Sequence, residues 1–217
     1  MREKTGEVFS IAADNPPVPG CTVSREVHGG ANSIVYFSLA ACTDISAEIY
    51  QCHKLILVAD GSLEVYGTYG ATLSLSAGDM LVTPVGIPVG MRSARGAVYT
   101  EISTRREDIM NPAVKAGEVF RLAELVPYQD GRIVNMDVVH NDKMKFVVMA
   151  FDEGTGLSDH AAPGEAMVFA LDGEAVIGYE GKDHLIRAGE NFRFAEGGLH
   201  NVRAKGRFKM ALLLTLG

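Results

Sequence analysis

The chain is short of cysteine. It has three, Cys21, Cys42 and Cys52, all in its first half and none in CxxC spacing. An odd number without paired spacing speaks against a disulfide framework or a thiolate zinc site and predicts reduced thiols in a cytoplasmic protein. Basic charge is scarce as well: 20 lysines and arginines stand against 27 aspartates and glutamates, a net charge of −7. A phosphate binder needs a basic face, so the charge argues against nucleic acid as a partner, and adhesion to an anionic membrane is disfavoured. No run approaches the roughly 20 apolar residues of a transmembrane helix. The opening "MREKTGEVFS" has charge but no apolar core, so no secretory signal is expected. Sustained helical periodicity is also missing.

What is present is a repeat. "EVFSIA" from Glu7 returns as "EVFRLA" from Glu118, an offset of 111 residues. "DGSLEVYG" (60–67) answers "DGEAVIGY" (172–179) at an offset of 112, and "LSAGDMLVTPVGIPV" (75–89) answers "IRAGENFRFAEGGLH" (186–200) at 111. Solenoid repeats have periods of about 20–50 residues, so this period means a duplicated domain. The predicted organisation is one barrel over residues 1–103, a linker over 104–117 with room for a short helix, and a second barrel over 118–217. Within each half, runs such as "SIVYFSLA", "KLILVAD", "KFVVMAF" and "AMVFALD" are short, rich in β-branched and aromatic residues, and bounded by Gly, Asp or Pro. Many such strands at regular spacing predict a sandwich or barrel in each half. At 47% hydrophobic residues the chain has the apolar mass for both cores.

Gly154, five residues, His160 and then Gly173 form one spaced set; Gly189, Gly197 and His200 form another, with Ala195 where a proline would complete it. In these two sets the second half resembles the cupin family. The resemblance implies an all-β fold of two tandem cupin-type jelly-roll β-barrels produced by internal duplication. It also implies a metal held by two histidines and a glutamate of the first motif and a histidine of the second. His160 and His200 take the first and last ligand positions. The second histidine position holds Ala162 and the glutamate position holds Ala166, with Glu165 one residue early. Strand side chains alternate faces, so a one-residue shift turns Glu165 outward unless the Pro163-Gly164 turn re-aims it.

Two readings follow. In one, His160, Glu165 and His200 form a 2-His-1-carboxylate site for one divalent transition metal, Fe, Mn, Ni or Zn. In the other, two histidines face a small apolar pocket lined by Ala162, Ala166, Val168 and Ala170, with no cofactor. The matching positions of the first half are Glu48, Tyr50, Lys54 and Val89, which leaves no metal set. Glu48 and Lys54 are expected to pair inside the first barrel beside Tyr50, because a buried lone charge is costly. A thin site of Glu48 with His53 is the alternative. The resulting expectation is a protein that binds a small-molecule ligand around His160 and His200, associates as a homodimer and contacts neither nucleic acid nor membrane. A metal-dependent enzyme of dioxygenase, isomerase or decarboxylase type is the rival class, and the fold does not choose between them.

Overall fold

The computed structural model describes residues 3–67 and 70–216. It is almost entirely β-structure, with one four-residue helix, α1 (Ile11–Asp14), among the described residues. The strands form two compact units. The first contains β2 (Thr22–His28), β3 (Ile34–Leu39), β4 (Thr43–Ile49), β5 (Lys54–Tyr66), β6 (Leu73–Ser76), β7 (Asp79–Val82), β8 (Pro88–Ser93), β9 (Ala97–Ser103) and β11 (Val119–Arg121). The second contains β1 (Val8–Phe9), β10 (Ile109–Met110), β12 (Ile133–His140), β13 (Met144–Phe151), β14 (Gly156–Ala161), β15 (Glu165–Tyr179), β16 (Lys182–Arg187), β17 (Asn191–Phe194) and β18 (Leu199–Thr215).

The units do not follow the two sequence halves strictly. The repeated "EVF" segment forms β1 in one copy and β11 in the other. β1 pairs with β17, so residues 3–10 belong to the second unit; β11 pairs with β7, so residues 112–121 belong to the first. The expected boundaries at 103 and 118 are displaced accordingly. The stretch expected as a linker holds turns and the short strand β10, which joins β12, and no helix.

The long strands make each sheet curl into two half-barrels. β5 pairs with β7 and β9 along its first half, and with β6 and β8 along its second. β15 does the same with β17 and β16, and stays against β18 throughout. Each strand changes direction at its Asp-Gly pair, where the register slips: after Val58 in β5, and on both sides of Asp172–Gly173 in β15. A bulge bends a strand and increases its twist. Gly61 and Gly173 have φ of 78° and 69°, and a Cβ there would lie 2.1 Å from the Gly96 carbonyl oxygen and 2.0 Å from that of Arg207. Only glycine supplies both the left-handed backbone and the close approach.

The interior of each barrel is set by alternation. In the second unit Ala166, Val168 and Ala170 face inward with Phe151, Phe192, Phe194, Phe208 and Met210 in one buried cluster. In the first, Ile56, Val58, Leu63, Val65, Val89, Met91 and Tyr99 do so.

Gly61→Ala and Gly173→Ala are each expected to destabilise their unit by more than the roughly 1–2 kcal/mol of a left-handed alanine. Gly154→Ala, at φ 74° with open space around it, should cost no more than that backbone part. Urea unfolding of the three variants checks the ordering.

Candidate functional site

His160 and His200 stand directly opposite each other on β14 and β18. Their ring centroids are 4.1 Å apart, so the two residues converge as their spacing predicted. His200 is 6% exposed, and its other face stacks on Phe194 at 4.0 Å. His160 is exposed at the strand's outer end. Each Nδ1 is engaged by a backbone carbonyl two residues back, Ser158 at 2.8 Å and Gly198 at 3.0 Å. That contact leaves the Nε2 of each ring for other partners. The pinch comes from a register slip in the β14–β18 ladder between Leu157 and His160, which re-aims the end of β14.

Burial holds His200 below the ordinary histidine pKa. The Gly198 carbonyl works the other way, and a charge on His160 would lower it further. Near neutral pH, His200 is therefore an uncharged imidazole, both donor and acceptor.

Glu165 does not join the pair. As the first residue of β15 it shares a face with Met167 and Phe169, opposite to Ala166, Val168 and Ala170. It forms an ion pair with Arg193, the residue facing Met167 across β17. Arg193 also donates to the Glu3 carbonyl and, at 2.7 Å, to the Thr5 hydroxyl. Glu165 is thus a structural partner that ties residues 3–5 to the sheet, and the three-residue ligand set with His160 and His200 is corrected. The Pro163-Gly164 turn does not undo the parity. Among the described residues no three His, Cys, Asp or Glu side chains gather closely enough to hold a metal ion. Two imidazoles without a carboxylate do not fit a resident divalent ion. Ala162, Ala166, Val168 and Ala170 all face the barrel interior and are buried within its apolar cluster.

The first unit holds a different set. Glu48 is exposed on β4 opposite Val89, and Lys54 does not pair with it. Lys54 opens β5 on the inward face, with Ile56 and Val58, and its ammonium meets Glu101 at 3.0 Å and the Ser103 hydroxyl at 2.6 Å. Glu101 and Ser103 lie on β9, the strand hydrogen-bonded to β5. The expected Glu48–Lys54 tie is therefore replaced by Lys54–Glu101, because inward parity on β9 supplies a nearer carboxylate. The pair's side chains are 17% and 10% exposed. Tyr50 lies beside it as expected, its ring 5.4 Å from the ammonium. Burial first, then the charges of Glu101 and Glu48, push the Tyr50 phenol up to about 12. His53 turns its Nδ1 to the Thr83 carbonyl at 2.6 Å and makes no site with Glu48.

Sequence reasoning missed Glu101, Ser103 and Tyr99. A signal was available: in "AVYTEIS" the residues at 97, 99, 101 and 103 share one face, and a glutamate falls among apolar neighbours. At an offset of 111 the second half has Phe208, Met210, Leu212 and Leu214 there.

The comparisons agree with this architecture. Residues 147–216 match the family model described as a cupin domain (Cupin_2). The cupin 2 conserved barrel domain protein from Leptotrichia buccalis superposes with a TM-score of 0.86 at 25% identity, over 99% of this chain and 98% of that one. Protein Ylba from E. coli gives 0.63 at 12% identity, over 98% and 92%. Salicylate 1,2-dioxygenase from Pseudoaminobacter salicylatoxidans gives 0.65 at 10% identity, over 99% and 83%. No curated protein matches this chain. These likenesses establish the cupin-type fold over the whole chain.

Removing one member of a buried pair leaves an uncompensated charge, at a cost of about 3–5 kcal/mol. Lys54→Met should approach that loss. Glu48→Gln, at an exposed residue, should change stability by no more than about 0.5 kcal/mol. The double change Lys54→Met with Glu101→Leu should recover most of the loss, since the second half already has Ala166 and Leu212 at these positions. Chemical denaturation of the three proteins decides it.

The His200 shift has a sign. Its folded pKa lies below the unfolded value of about 6.5, so the unfolded chain takes up protons first as pH falls. The contribution is fully present above about pH 6.5 and is lost as pH drops toward the folded pKa. The difference in melting temperature between wild type and His200→Asn should therefore shrink from pH 8 to pH 5. A constant difference would place no shifted histidine there.

Proposed function

We propose that the chain is a two-barrel cupin (a bicupin) with degenerate metal motifs that binds a small molecule at the His160–His200 pair of its second barrel without a resident metal. The observation behind this is the imidazole pair itself: two rings 4.1 Å apart, with the carboxylate that would complete an ion's shell engaged by Arg193 on the other face. An uncharged imidazole presents a donor or an acceptor to a polar ligand, and the aromatic and alanine surface behind it suits an apolar body. Among the described residues no helix is long and apolar enough to cross a membrane. A cytoplasmic location and a homodimer belong to the same proposal. The latter is suggested by β2, a terminal strand of its sheet whose residues 22–26 are all exposed. Sedimentation velocity reports it.

A metal-dependent enzyme is favoured by one feature, the two carbonyl-held Nδ1 atoms. A hydrogen bond from the other ring nitrogen to a carbonyl is how metal-bound histidines are aimed. The chemistry would be of dioxygenase, isomerase or decarboxylase type, and the solved structure of a salicylate dioxygenase shares the fold.

Elemental analysis of protein purified without a histidine tag separates the two. The expected result is Fe, Mn, Ni and Zn all well below one equivalent, with His200→Asn abolishing the binding of at least one small organic ligand found in a thermal-shift screen. One equivalent of a transition metal, lost in His200→Asn, would establish the enzyme reading instead.

A further inference from the structure

The two barrels differ in their interior chemistry. At equivalent positions the second has Ala162, Ala166, Met210, Leu212 and Leu214, and the first has Tyr50, Lys54, Tyr99, Glu101 and Ser103. In the first barrel all of these groups but Tyr99 form one connected set, with the Tyr50 ring beside the Lys54 ammonium. Ser33 and Ser103 share a hydrogen bond of 2.8 Å, Ser103 accepts from Lys54, and Lys54 meets Glu101. The ion pair explains the cost of burying its own charges and nothing more. It does not explain Tyr99, which is 0% exposed in the apolar cluster, with its ring stacked on Phe37 at 5.0 Å. Among the described residues the Tyr99 hydroxyl has no hydrogen-bond partner. A buried phenol without an acceptor is a penalty that a plain core would avoid with phenylalanine. Burial and the neighbouring Glu101 and Tyr50 hold its pKa well above the ordinary value, so it stays a donor.

We propose that the first barrel is a second ligand site, for a small uncharged hydroxy-carbonyl compound whose carbonyl oxygen accepts from Tyr99 and whose hydroxyl donates to Glu101. The charge balance selects the class. Lys54 and Glu101 cancel, and the ammonium is already engaged by Glu101, Ser103 and the Tyr50 ring, so no free cation remains for an anionic ligand. A hydroxyl beside a carbonyl matches an orphan donor two residues along the strand from a carboxylate. The set is not sealed, since Tyr50 is half-buried and the Lys54 and Glu101 side chains retain 17% and 10% of their surface.

Glycolamide and glycolate have nearly the same shape and differ in charge, so they serve as probes. Protein-observed NMR titration of the full chain should show saturable glycolamide binding in the roughly millimolar range, within reach of so small a ligand, with weaker binding of glycolate. Tyr99→Phe should weaken glycolamide by about tenfold, as loss of one hydrogen bond predicts, and His200→Asn should leave it unchanged. Without ligand, Tyr99→Phe should melt no lower than wild type. The proposal is overturned if glycolamide does not saturate, if glycolate binds more tightly, or if His200→Asn rather than Tyr99→Phe removes binding. It is equally overturned if Tyr99→Phe alone melts several degrees lower, since the hydroxyl then has a partner. None of these results bears on the metal content or ligand of the second barrel, which is tested separately.

Discussion

Face alternation along a strand bent at its Asp-Gly pair governs both barrels. A side-chain period of two means that a shift of one residue changes the environment completely. Glu165 and Ala166 show the consequence. One faces Arg193 on the outside of the sheet, the other joins Phe192 and Phe194 within it. A carboxylate placed one residue later would point toward the histidine pair and raise the local negative charge; placed where it is, it anchors the chain near Thr5. The bulges at Gly61 and Gly173 let each long strand serve both halves of its barrel, so inward parity is re-established after the bend: Leu63 and Val65 in one copy, Ala175 and Ile177 in the other.

The same rule explains why the copies diverged without losing the fold. Duplication provides two interiors with one backbone, and an interior needs filled volume and satisfied polar groups rather than particular residues. The second barrel meets this with aromatic rings and keeps its polar groups at one end, where His200 is held between Phe194 and His160. The first keeps a lysine and a glutamate inside and satisfies them with each other and with Ser103. Each solution is consistent in itself. Transplanting one lysine into the second interior, or one leucine opposite Lys54, would leave a group unmatched.

The fold was legible because its signals are local and doubled. The repeat, the Asp-Gly pairs and the β-rich runs each point to strands and bends, and their recurrence at one offset removes most ambiguity. The convergence of His160 and His200 was legible through the cupin resemblance that their spacing carries, while strand parity left Glu165 outward in only one of two readings, the Pro163-Gly164 turn allowing the other. The partner of Lys54 was not, because Glu101 lies 47 positions away and reaches Lys54 only through the pairing of β5 with β9. Sequence order suggested Glu48, a near neighbour at the corresponding motif position, but the turn between β4 and β5 leaves it outside. The exchange of β1 and β11 was hidden for a similar reason. "EVF" reads the same whichever sheet receives it, and only its pairing with β17 or β7 decides.

Both candidate sites arrive at neutrality by different routes. In the second barrel burial keeps His200 uncharged; in the first an ammonium and a carboxylate cancel. A cupin-type barrel built around an ion must gather several anionic or imidazole ligands at one point, and their mutual repulsion is tolerable only while the cation is present. Here Ala162 and Ala166 bring no charge to the interior, and the His160 and His200 rings lie 4.1 Å apart at a tilt of 52°. In the other copy, Lys54 at the carboxylate position places a positive charge on the protein itself, and Glu101 on the adjoining strand becomes its counterion. The positive charge of that interior is carried by a covalently attached side chain and is balanced within the protein.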